Sequence, residues 1–129
     1  MYKSDISNRD LVGVTPSGKK IHWLVSSEIG ASNFELRYVE IPPGAKPSKT
    51  VSHPHEHEVY VVSGHGLLTG RSEGRDYRTE LRPGDAIFIP GNEEHQWFTP
   101  FGEALAMICV VPRGAESESK PDAVRKGAK

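Results

Sequence analysis

The sequence predicts an all-β domain in which many short antiparallel strands close into a sandwich or a barrel. Three observations lead there. No segment holds a convincing long helical period. Short runs rich in Val, Ile, Tyr, Phe and Trp recur along the chain. Thirteen glycines and ten prolines are spread between those runs, so each run ends at a turn.

Taken in order, residues 1–12 are polar and read as an arm that pairs late or frays. Ile21 to Ser26, IHWLVS, reads as a strand. Phe34 to Ile41, FELRYVEI, alternates with period two and is expected to set Phe34, Leu36 and Tyr38 on one face, with Arg37 turned away to the surface or a dimer contact and a substrate carboxylate as its alternative partner. Pro42-Pro43-Gly44 ends it. Val51 to His53 is short and extended. Glu58 to Ser63, EVYVVS, is a strand by composition. Gly64-His65-Gly66 turns it into Leu67 to Gly70. Ser72 to Arg75 forms a hairpin tip, and Tyr77 to Arg82 returns with exposed charge. Arg82-Pro83-Gly84-Asp85 has Pro and Gly at the centre of a type II turn. Ala86 to Ile89 is a strand stopped by Pro90-Gly91-Asn92, and His95 to Thr99 is another. Ala104 to Val111, ALAMICVV, is near-continuously apolar and reads as a core strand. That makes about nine or ten strands. The expected organisation is one domain over residues 1–112 and a polar tail over 113–129, mobile or holding one short helix.

The bulk properties narrow the function classes. The chain has 129 residues, 36% apolar and 26% charged, with a formal net charge of −1. This suits an ordinary globular domain and argues against nucleic acid. No apolar run reaches the length of a membrane span. The opening MYKSDISNRD has no signal-peptide core, and the single Cys109 cannot pair within the chain. Together these point to a reducing compartment such as the cytoplasm.

The chemistry is concentrated in histidine. Of six histidines, His53, His55, His57 and His65 lie within VSHPHEHEVYVVSGHG, and His95 stands in the later NEEHQWF. Neutral imidazole is the usual nitrogen ligand of Zn²⁺, Fe²⁺, Ni²⁺, Mn²⁺ and Cu²⁺. A metal site needs donors converging from separate segments, and inward positions on neighbouring barrel strands supply that. His53 and His57 share parity, and the strand at His95 can bring a third ring across the barrel. Trp97 shares the parity of His95 and is a candidate pocket wall. Tyr38, Phe34 and Met107 are candidates for the other walls. His65 reads as exposed, His22 as packed or surface, and Cys109 as a poor nucleophile in an apolar strand.

At these residues the sequence resembles the cupin superfamily. GDAIFIPGNEEH fits its second motif, with Gly84, Pro90 and His95 at the right spacing. Asn92 stands for the motif's second glycine and Thr99 for its asparagine. Asn tolerates the left-handed conformation such a turn needs. In the first motif, counting back from Gly64 puts one ligand position at His57 and the HxH pair at 51 and 53. Position 51 is Val51, which cannot bind metal. The resemblance covers about Phe34 to Pro112 and is nearest to small single-domain bacterial cupins with four histidine ligands. It implies a double-stranded β-helix, or jelly-roll barrel, and a homodimer. It also implies one divalent metal ion on His53, His57 and His95, with His55 either a substitute for the missing fourth group or a rim residue at the pocket mouth.

Three neutral imidazoles leave the ion's charge unneutralised and about three positions open for water or substrate. Such a site favours a small anionic or chelating organic molecule. Dioxygenase chemistry stands slightly ahead of Lewis-acid cyclase, isomerase, lyase or decarboxylase chemistry. The rival is a non-catalytic cupin that binds or senses a small ligand.

Overall fold

Alternating apolar residues and frequent turns do produce nine antiparallel strands in the computed structural model, which describes residues 1–46 and 50–127. They are β1 (Val12–Val14), β2 (Lys20–Val25), β3 (Phe34–Ile41), β4 (His57–Gly64), β5 (Gly66–Ser72), β6 (Arg75–Leu81), β7 (Ala86–Ile89), β8 (Glu94–Phe98) and β9 (Leu105–Pro112). One short helix, α1, spans Asp122–Arg125. Two sheets face one another. One has six strands in the order β1-β2-β3-β9-β4-β7, and the other has three in the order β6-β5-β8. This is the all-β jelly roll expected from the sequence. No helix among the described residues is long and apolar enough to cross a membrane.

The central strand is β9, as its apolar run requires. It pairs with β3 along its whole length and with β4 on its other side. Its inward residues Leu105, Met107, Cys109 and Val111 pack with Ile21, Trp23, Val39, Ile41, Val59 and Val61 between the sheets. Each such side chain contributes about 1.5–3 kcal/mol by leaving water. Two glycines are required by close approach. A Cβ on Gly64 would lie 1.8 Å from the Ala104 carbonyl oxygen, and φ there is +91°. A Cβ on Gly91 would lie 2.5 Å from the Pro54 oxygen, so this glycine lets the loop before β8 touch the loop carrying His53 and His55. Asn92 takes φ +67°, the left-handed turn in which it substitutes for glycine.

Three expectations need correction. The first concerns β1, which is a strand where the sequence reads only as an arm; it pairs with β2 through Val12↔His22, Gly13↔Ile21 and Val14↔Lys20. The second concerns the face of β3. The period is right but the inward face is Glu35, Arg37, Val39 and Ile41. Phe34 is 69% exposed, and Tyr38 packs edge-on against His22 on the outer face. Phe34 and Tyr38 are therefore not pocket walls, and Arg37 is not a surface residue. The register with β9 sets Arg37 opposite Cys109.

The third correction concerns the tail. Residues 113–127 dock on the barrel and are not free, with one short helix; Ala128 and Lys129 lie outside the described residues. Lys120 Nζ donates to Glu35 at 2.8 Å and to Glu28 at 2.9 Å, and Glu35 is fully buried. Glu35 also accepts from the backbone N–H groups of Ser27 and Gly114 at 2.7 and 2.8 Å. Trp23 gives its indole N–H to the Ser119 oxygen at 3.3 Å, and Val124 is buried. The polar composition of the tail hides this, because its charge is matched by carboxylates on other elements.

Candidate metal centre

His57 opens β4 at an inward position opposite Ile89 of β7. It is 6% exposed. Its Nδ1 meets Cys109 Sγ at 3.5 Å, while its Nε2 is buried with no hydrogen-bond partner among the described residues. Burial pushes its pKa down to about 3; the carboxylate of Glu116 opposes this, and Arg37 and neighbouring imidazoles add to it. The ring is thus held neutral, the form that can ligate.

His95 lies on β8, in register with Gly70 of β5. Its backbone exchanges hydrogen bonds with Val51, N–H to oxygen at 2.9 and 3.2 Å, which fastens the loop carrying His53 to β8. Its Nδ1 lies 2.9 Å from the Glu93 oxygen, leaving Nε2 to face the cluster. That contact orients the ring as hydrogen bonds behind metal ligands do. His53 completes a triangle with the other two, with centroids 5.4 Å from His57 and 5.5 Å from His95, which are themselves 5.4 Å apart. Burial lowers its pKa as well. Donor atoms of His53, His57 and His95 lie within 4.8 Å of one another. The donor set and the orphaned His57 nitrogen fit a metal ion: without a cation to receive it, a buried ring nitrogen carries an uncompensated desolvation cost.

A second set, His55, His57 and Glu116, meets the same 4.8 Å limit. His55 stacks on His53 at 4.9 Å, and its Nε2 lies 3.0 Å from Glu116 Oε2. Glu116 comes from the tail. Burial alone would raise its pKa, but Arg37 and the imidazoles outweigh that and hold it at about 2. Arg37 donates to Cys109 Sγ at 3.0 Å and to Glu116 at 3.4 Å. Burial raises the Cys109 thiol, against the pull of Arg37, so this cysteine stays protonated.

Two adjoining cavities lie at these groups. The inner one, about 50 Å³, is bordered by His53, His57, His95, Arg37, Met107 and Glu116. The outer one, about 410 Å³, is bordered by Ser17, Pro42, Lys46 and Gln96. Lys19, Val51, His95 and Trp97 border both. Val51, which replaces an imidazole of the resembled motif, is thus one of the four residues that border both. Thr99 anchors the outer rim: its hydroxyl receives the Ala45 N–H at 2.8 Å and donates to the Pro42 oxygen at 2.5 Å.

The structure thus brings His53, His55, His57, His95, Trp97 and Met107 together. It sends Phe34 and Tyr38 outside. His65 pairs with Glu80 and stacks on Phe101, and His22 pairs with Glu40, both away from the cluster. Sequence reasoning missed Lys19 and Glu116, and it preferred a surface or dimer role for Arg37. Arg37 shares parity with Val39 and Ile41, which was the available signal; Glu116 lies among serines and glutamates and had none.

A family model described as Cupin domain matches residues 37–111. A 1-methylthio-D-xylulose 5-phosphate methylsulfurylase of Rhodospirillum rubrum is 37% identical over 78 residues, 60% of this chain and 46% of that protein. The chain thus spans about half the length of that curated relative. A polyketide cyclase of Streptomyces resistomycificus superposes with a TM-score of 0.72 at 26% identity, covering 97% of this chain and 94% of that one. A cupin 2 conserved barrel domain protein of Rhodopseudomonas palustris has a TM-score of 0.63 at 25% identity, over 86% of this chain and 68% of its own.

Proposed function

The chain belongs to the cupin domain family, and on that premise we propose that it is a metal-dependent enzyme acting on a small anionic or chelating organic molecule. The observation that carries this reading is the buried, unpartnered Nε2 of His57 amid the converging rings of His53 and His95. We assign those three as ligands of one divalent ion (Fe, Zn, Ni, Mn or Cu), with His55 beside them, and Trp97 and Met107 as pocket walls. A divalent ion held there would supply Lewis acidity.

The chain's own residues supply the rest. Lys19 borders both cavities and Arg37 the inner one, so an anionic group entering from outside meets two fixed cations. The inner cavity admits only a small reacting head, while the outer one has room for the rest of the molecule. Trp97 offers a flat apolar wall between them and limits water beside the cluster. Cys109, kept protonated, takes no nucleophilic part.

We infer Lewis-acid chemistry of the cyclase, isomerase or lyase kind ahead of dioxygenase chemistry. Two relatives at 26% and 37% identity bear the names of a polyketide cyclase and a methylsulfurylase, which supports that order. The test is to load the purified chain with Zn²⁺, Ni²⁺, Mn²⁺ or Fe²⁺ without oxygen and offer it diketones, enols, phenols and phosphorylated ketoses. Turnover without oxygen is the expected result. Turnover only with Fe²⁺ and oxygen returns the dioxygenase reading, and tight binding without turnover returns the sensing cupin. A chain that takes up no metal overturns the proposal.

The same proposal includes a homodimer. The outer face of β4, β7 and β9 leaves Tyr60, Val62 and Phe88 exposed around a shallow apolar groove reaching Ile108 and Val110. A contiguous apolar patch of this kind favours burial against a second copy.

A further inference from the structure

The docked tail carries one carboxylate into the histidine cluster. Glu116 Oε2 lies 3.0 Å from His55 Nε2, 3.4 Å from an Arg37 nitrogen and 3.7 Å from His57 Nε2. The last distance is too long for a hydrogen bond, and the His57 nitrogen has no other partner among the described residues. Two donors that each hold one ion at about 2.0–2.2 Å stand about 3–3.5 Å apart, close to this spacing. His57 belongs to both compact donor sets, the one with His53 and His95 and the one with His55 and Glu116, and the His53 and His55 rings that join the two sets stack at 4.9 Å.

Charge leads the same way. Imidazoles leave a divalent ion uncompensated, and Arg37 adds a further buried positive charge. Glu116 is the carboxylate among the cavity's bordering residues. Its backbone is held at φ +54°, a conformation that non-glycine residues adopt at a cost. The docking of Lys120 on Glu35 and of Trp23 on Ser119 fixes the segment on that side of the barrel.

We propose that Glu116 is a protein ligand of the metal centre, delivered from outside the barrel in place of the imidazole that Val51 lacks. The inference rests on the metal site proposed above. It makes the donor set mixed nitrogen and oxygen, which suits borderline Zn²⁺, Fe²⁺ or Co²⁺ and the harder Mn²⁺ over soft Cu⁺. It also links ion uptake to docking of residues 113–127.

The experiment titrates the full chain, and its Glu116→Gln variant, with Co²⁺ by visible absorption and with Zn²⁺ by calorimetry. The expected result is an affinity at least about tenfold weaker in the variant, with a changed Co²⁺ spectrum. Equal affinity and an unchanged spectrum overturn the proposal while leaving the histidine site standing. If the unaltered chain binds neither ion, the metal reading itself fails. Glu116→Asp keeps the charge beside Arg37 and serves if Glu116→Gln does not fold. A ligand role predicts weaker binding and an altered spectrum there too, because the carboxylate is one methylene short. An unchanged Glu116→Asp titration overturns it.

Discussion

His57 and Glu116 mark the two ends of what single residues disclosed. The histidines were legible because imidazole at matched parity, repeated across two separated segments, has few purposes other than a cation. Glu116 was illegible because a carboxylate in a polar tail looks like any solvated charge; only its arrival beside Arg37 and His55 gives it meaning. The histidine assignments make a graded prediction. His53→Ala and His95→Ala are expected to weaken Zn²⁺ binding by about a hundredfold or more, and His55→Ala by about tenfold or less. Calorimetric titration checks this. A loss in His55→Ala as large as in His95→Ala would make His55 a full ligand and defeat that ranking.

At the scale of elements, β3 shows what periodicity can and cannot decide. Its alternation was plain, but each of its faces mixes apolar and polar residues, so period alone does not say which is inward. The choice is made by partners on other elements. Glu35 is tolerable inside because Ser27, Gly114 and Lys120 satisfy it, and Arg37 because Cys109 and Glu116 receive it. The tail owes its docking to the same pairing, and this gives a pH dependence. Burial tends to raise the Glu28 pKa, but the Lys120 hydrogen bond outweighs it, so the folded value lies below the ordinary 4.5. Stabilisation from Glu28 is therefore complete above pH 4.5 and lost as pH falls through the folded value. Limited proteolysis of the tail is expected to accelerate below that point, and Glu28→Gln to remove part of the change. A tail whose protection stays constant as pH is lowered from neutral to the onset of global unfolding would count against this account.

For the whole molecule, the jelly roll was legible because turn residues and apolar runs alternate from end to end, and the motif spacing added the order of the site-bearing segments. The outer sheet face was not, since an inward reading of Phe34 and Tyr38 conceals how much apolar surface is left outside. The homodimer proposed for that face carries its own prediction. Phe88→Glu and Tyr60→Glu each place a charge in the groove, and together they are expected to shift the chain from dimer to monomer in light scattering at micromolar concentration. The metal content should be unchanged, because both side chains point away from the histidines. An unaltered chain that is monomeric at high concentration would remove the dimer from the proposal.

The tryptophans give the chain two built-in optical reporters. The sequence contains two, and they sit at different working parts. Trp23 is buried with the Arg37 and Lys120 cations at 5.3 and 5.0 Å from its ring, and it bonds to Ser119. Its emission therefore reads whether the C-terminal segment is seated. Trp97 borders both chambers beside His95, with ring centroids 6.4 Å apart, and its emission reads what enters them. Trp23→Phe leaves the chamber signal alone and Trp97→Phe leaves the docking signal alone. Seating and occupancy can then be timed separately in stopped flow, without a label.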